Sequence, residues 1–124
     1  MSFIRVIRYL LGQLIVGIDA LMPVQKIKRS DIEQEKANQQ AKNMQLYQFH
    51  LCPFCVRVRR EIRRLNINIE LKDAKKSPKD RDALLSGGGK IKVPCLRIED
   101  SKNTTTWMYE SKEINAYLKK VFQS

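Results

Sequence analysis

Residues 44–73 read "MQLYQFHLCPFCVRVRREIRRLNINIELKD" and divide into three pieces. "MQLYQFH" has the composition of a strand. "CVRVRREIRRL" places Val58, Ile62 and Leu65 at helical spacing, with arginines over the rest of its surface. "INIELKD" alternates apolar and polar side chains, as a half-buried strand does. Cys52 and Cys55 stand where the first strand ends and the helix starts.

Towards the C-terminus the alternation continues. "SPKDRDALLSGGG" offers Ser77 as an N-cap, Pro78 at the first helical position and glycines as a stop. "IKVPCLRIE" and "TTTWMYE" read as strands around a turn at residues 100–103. "SKEINAYLKKVF" puts Ile114, Tyr117, Leu118 and Val121 on one helical face. The order is β-α-β-α-β-β-α, which predicts a mixed sheet flanked by helices. "GGGK" at residues 87–90 is followed by Ile91, so it lacks the Ser or Thr of a phosphate loop and reads as a helix stop.

Towards the N-terminus, residues 25–43 are polar and form a helical linker, with "SDIE" at Ser30–Glu33 in capping-box spacing. Residues 1–24 are mostly apolar. Arg5, Arg8, Gly12 and Asp19 fall in one narrow polar stripe of a helix that Pro23 stops. The uncharged run, residues 9–18, is well short of the ~20 residues a spanning helix needs. Three placements stay open: in a membrane interface with Lys26, Lys28 and Arg29 near headgroups, across a membrane against a partner, or packed on the domain. A cleaved signal peptide fits less well, because no small-x-small site follows.

The 124 residues suffice for one domain with a modest core. Lys and Arg number 24 against 13 Asp and Glu, a net charge of +11. Such a charge favours anionic partners without choosing among them. No stacking platform for bases is evident, so nucleic acid is not expected as a partner. Three cysteines are odd in number and too few for a secreted disulfide framework, which points to a reducing compartment.

Two cysteines at a helix start meet unpaired N–H groups and the positive end of the helix dipole. Both favour a thiolate, and thiols in such settings have pKa values about one to five units below the free ~8.5. Arg57 and Arg59 add positive potential. Cys52 is then the exposed nucleophile and Cys55 the buried resolving thiol. Half of a metal site is a second reading, but Cys95 and His50 complete no known spacing. A pair of inert packed cysteines is a third.

"CPFC" after a strand, "KVPC" about forty residues later and "YESKEINAYL" at the end resemble the glutaredoxin family. The last segment is also similar to the thioredoxin-fold half of glutathione transferases. The resemblance covers residues 44–124 and implies a thioredoxin-like three-layer sandwich with a mixed four-stranded sheet, preceded here by the N-terminal amphipathic helix. It implies that Pro94 is cis, that Pro53 and Phe54 border glutathione, and that Val93 offers it backbone groups. Glu110 and Ser111 match the pair that receives the γ-glutamyl end, and a helix start suits a carboxylate there. The Lys often found before the active site is missing. His50 stands two residues before Cys52 and reads as a surface residue, Cys95 as a small core residue.

The resulting expectation is a glutathione-dependent thiol–disulfide oxidoreductase serving electron transport and cell redox homeostasis. It reduces protein–glutathione mixed disulfides or protein disulfides through its redox-active CPFC centre. Glutathione is the co-substrate and no metal is expected. Location is cytoplasmic, with peripheral membrane contact through residues 1–24. The alternative is a membrane-tethered thioredoxin-fold assembly module with little redox turnover.

Overall fold

The computed structural model describes residues 2–21 and 24–123, without the side chains of residues 2 and 19–21. Pro23 and the side chain of Asp19, both used in reading the first helix, lie outside the described residues. In chain order the elements are α1 (Ser2–Leu21), α2 (Asp31–Ala41), β1 (Met44–Gln48), α3 (Pro53–Arg64), β2 (Glu70–Asp73), α4 (Pro78–Gly88), β3 (Cys95–Glu99), β4 (Thr105–Tyr109) and α5 (Ser111–Phe122). From β1 onward this is the β-α-β-α-β-β-α order read from the sequence.

The strands lie in the order β2-β1-β3-β4. β1 and β2 are parallel, while β3 runs antiparallel to both β1 and β4. The sheet is therefore mixed, and each face buries its own cluster. On one face Leu46 and Leu96 meet Val58 and Ile62 from α3, its C-cap Leu65, and Ile114, Leu118 and Phe122 from α5. On the other, Tyr47 and Cys95 pack with Ala74 and with Leu84 of α4. This separation is the period-2 alternation of strands made visible: neighbours along β1 point to opposite layers.

The strands are shorter than their sequence signals. "INIELKD" pairs only from Glu70 onward, although Ile67 and Ile69 are buried in the larger cluster. Leu71, which the alternation would bury, is 46% exposed. β2 is an edge strand, so no further strand covers its outer flank.

The caps follow the sequence. Ser30 and Ser77 each accept a backbone N–H, from Glu33 and Asp80 respectively, both at 3.3 Å. The glycine run ends α4 as a packing device. A Cβ on Gly87 would stand 2.1 Å from Trp107, and one on Gly88 2.1 Å from the Tyr109 hydroxyl. Gly89, at φ 87, is the left-handed C-cap.

Residues 24–43 are bound to the domain. Ala37 and Ala41 join the larger cluster. The Ile27 N–H donates to the Arg64 carbonyl at 2.9 Å, and Arg29 donates to the Phe122 carbonyl at 2.7 Å. α1 packs near α3. Gly12, its buried residue, lies against Leu51, where a Cβ would meet the Leu51 Cβ at 2.8 Å and its carbonyl oxygen at 3.0 Å.

Candidate functional site

The sheet register gathers the candidate residues at one end. Tyr47, near the end of β1, pairs with Cys95, the first residue of β3. Cys95 pairs in turn with Tyr109, the last residue of β4. The chain leaving β1 reaches Cys52, the chain entering β3 passes Val93 and Pro94, and the chain leaving β4 passes Glu110 and Ser111. Three segments far apart in sequence therefore emerge from the same sheet end.

Cys52 is the N-cap of α3, with extended backbone at φ −74 and ψ 123. Pro53 takes the first helical position, where its missing N–H costs nothing. The Cys52 thiol is drawn down from an ordinary 9.0 to about 6. The chief cause is a hydrogen bond from the Cys55 side chain. Burial opposes it. The backbone N–H groups of Cys55 and Phe54 and the positive Arg59 act in the same direction as the thiol donor. These are the unpaired donors of a first helical turn, turned onto a sulfur.

Cys55, one turn in, is buried and its thiol is pushed strongly up. It holds its proton in the bond to Cys52, and burial disfavours its charge. The two cysteines thus differ in state although they are chemically identical. All three cysteines are free thiols. Phe54, 59% exposed, adds an apolar surface beside the partly accessible Cys52.

Arg59 does more than supply charge. Its guanidinium donates to the buried Gln48 side chain, to the Phe49 carbonyl at 3.3 Å and to the His50 carbonyl at 2.7 Å. It thereby ties α3 to the loop that carries Cys52. An arginine in a basic helix gives no sequence sign of this; only the fold returns the loop carbonyls to it. Arg57 lines a different cleft, between α3 and α5, with Val24 and Gln25. His50 is an exposed turn residue.

The Val93–Pro94 peptide is cis. Pro94 is buried and Val93 half-buried. Among the described residues, the backbone N–H and C=O of Val93 take no hydrogen bond. Glu110, not Ser111, is the N-cap of α5, at φ 72 and without a side-chain cap bond. Ser111 is the buried first residue of that helix. The exposed Glu110 carboxylate pairs with Lys92 at 2.5 Å, and this partner, with Lys90 nearby, lowers its pKa. Lys90 sits 4.6 Å over the Tyr109 ring. The end of β4 therefore presents a small mixed-charge surface.

Cys95 belongs to the other layer. It is fully buried beneath α4 with Tyr47 and Leu84, and burial pushes its thiol up to about 11. It is protonated at neutral pH and packs in a cluster that includes neither Cys52 nor Cys55. Among the described residues, no helix is long and apolar enough to cross a membrane.

Residues 44–102 match the family model for glutaredoxin, just under half of the 124-residue chain. Among solved structures, the chain is similar to the holo form of glutaredoxin C1 from Populus tremula x tremuloides. That likeness has 16% identity and a TM-score of 0.46, and covers 73% of this chain and 88% of that one. No curated protein matches.

Proposed function

We propose, on the match of residues 44–102 to the glutaredoxin family model, that the chain is a glutathione-dependent thiol–disulfide oxidoreductase whose CPFC centre reduces protein–glutathione mixed disulfides and protein disulfides. The observation that carries this reading is the asymmetry of the pair: an accessible Cys52 thiol near 6 beside a buried Cys55 that keeps its proton. At neutral pH a thiol of that kind is largely thiolate, which is the attacking species in disulfide exchange.

In the first step the Cys52 thiolate attacks the glutathione sulfur of a mixed disulfide. A Cys52–glutathione disulfide forms, the old S–S bond breaks, and the protein sulfur leaves as a thiolate that takes up a proton. In the second, the thiolate of another glutathione attacks the glutathione sulfur of that intermediate. Glutathione disulfide leaves and the Cys52 thiolate is restored. Alternatively, the Cys55 thiol loses its proton and attacks Cys52, releasing glutathione and leaving an internal disulfide, which two further glutathione molecules reduce in turn, the first forming a mixed disulfide and the second leaving with it as glutathione disulfide. Both electrons come from glutathione in either route, and no metal enters the scheme.

Glutathione would lie along the sheet end described above. The unpaired backbone groups of Val93 suit its cysteinyl amide, with Pro94, Pro53 and Phe54 bordering the sulfur. Glu110 and Ser111 would take the γ-glutamyl end, and Lys92 would then exchange its bond to Glu110 for one to a ligand carboxylate. We place this activity in electron transport and redox homeostasis on the cytoplasmic side, with α1 as a peripheral membrane element and no nucleic-acid partner. Residues 25–43 would act as a helical linker between the amphipathic residues 1–24 and the glutaredoxin-like domain of residues 44–124.

The test is glutathione-dependent reduction of a glutathionylated peptide by the full chain. Wild type turns over, Cys52→Ser abolishes turnover, and Cys55→Ser retains the route through the mixed disulfide. Folded wild type without turnover would sink the redox reading in favour of a tethered assembly module.

A further inference from the structure

α1 is the longest helix, yet it touches the domain along one narrow line. Gly12 is buried, Ile15 and Val16 are half-buried, and the contact with Leu51 leaves no room for a side chain at Gly12. Nine large apolar side chains between Phe3 and Ile18 are exposed, Phe3 by 73%. Five of them, Ile4, Ile7, Leu11, Leu14 and Ile18, form a stripe at alternating steps of three and four residues. The stripe is about 20 Å long. A monomer in water rarely leaves so continuous an apolar face uncovered.

Charge selects what covers it. The only acidic residue among the first thirty is Asp19. Arg5, Arg8, Lys26 and Lys28 are exposed beside or just past the helix, and Arg57 lines a cleft of about 390 Å³ that begins at Val24 and Gln25. A second copy of the chain would bring a net +11 against +11 and set these cations against their own kind. An anionic lipid surface satisfies both features at once, taking the apolar face among its acyl chains and the cations among its headgroups.

We propose that α1 is a peripheral anchor whose outward face enters an anionic bilayer, and that the protein's substrates are mixed disulfides of proteins held at that surface. The substrate half rests on the redox reading above; the docking half does not. The Gly12–Leu51 contact gives the link, because Leu51 precedes Cys52 in the chain. The anchor and the thiol then belong to one body rather than to two joined by a loose tether.

The experiment uses the full chain, wild type and Leu11→Glu/Leu14→Glu, both positions being exposed so that the fold is undisturbed. Flotation is measured with phosphatidylcholine vesicles and with vesicles that also contain phosphatidylglycerol. Wild type floats with the anionic vesicles, less so as salt rises, and the double variant binds at least about a hundredfold more weakly. Both forms reduce a free glutathionylated peptide equally, and wild type alone gains rate when the peptide is lipid-anchored. Wild type left in solution by both vesicle types overturns the anchor, as does binding that survives the double substitution. A wild-type dimer that the variant dissolves would assign the face to a second copy and overturn it equally. Equal rates on the anchored peptide overturn the substrate class. Inactivity on the free peptide would instead refute the redox reading, while flotation still decides the anchor.

Discussion

The state of one thiol depends on the proton of another. Cys52 is held near 6 first of all by donation from Cys55, and only then by the helix N–H groups and Arg59. Alkylation of Cys52 by iodoacetamide should rise with pH through about 6 and flatten above it, because only the thiolate reacts. Cys55→Ala removes the largest lowering influence, so its alkylation midpoint should move up. A midpoint unchanged by Cys55→Ala would mean that the helix start alone sets the value. The depressed pKa also fixes a sign for stability. The thiolate's contribution to the reduced fold is fully present above 9.0 and is lost as pH falls through about 6.

At the scale of elements, the end of α4 shows how tightly the layer over Cys95 is built. Gly87 and Gly88 let the helix approach Trp107 and Tyr109, and the Trp107 ring stands 5.3 Å from that of Tyr47. Gly87→Ala would drive a methyl group into the indole, whose other neighbours include Arg97. Such overpacking should destabilise the protein by about 1–3 kcal/mol in urea denaturation. Gly89→Ala acts differently. Nothing crowds a Cβ there, so its cost comes from the left-handed backbone alone, about 1 kcal/mol.

At the scale of the molecule, the polar segment before the sheet is part of the fold. Its Ala37 and Ala41 fill the larger core, and Gln34 donates to the Asn66 carbonyl at 2.8 Å. Deleting residues 1–43 removes these contacts together with the Ile27 and Arg29 bonds to the ends of α3 and α5. The shortened chain should lose at least about 2 kcal/mol of stability, read as a lower urea midpoint beside the full chain. An unchanged midpoint would show that residues 44–124 carry the whole core.

The linear order of elements was legible because each rests on local chemistry. The helix caps at Ser30 and Ser77, the alternation of "INIELKD" and the apolar face of "SKEINAYLKKVF" are all written within a few residues. So was the reactive pair, since two cysteines and a proline at a strand–helix junction need only the helix start to differ from ordinary thiols. What the sequence left open depended on neighbours brought from elsewhere. Arg59 rather than Arg57 serves the thiol because the loop carbonyls of Phe49 and His50 fold back onto one side of α3. Glu110 meets Lys92 because the register of β3 and β4 sets their ends together. Gly12 of α1 turns towards Leu51 because it allows a close approach, which leaves Ile4, Ile7, Leu11, Leu14 and Ile18 outward. Periodicity defines the two faces of a helix, but only packing in three dimensions determines which of them is covered.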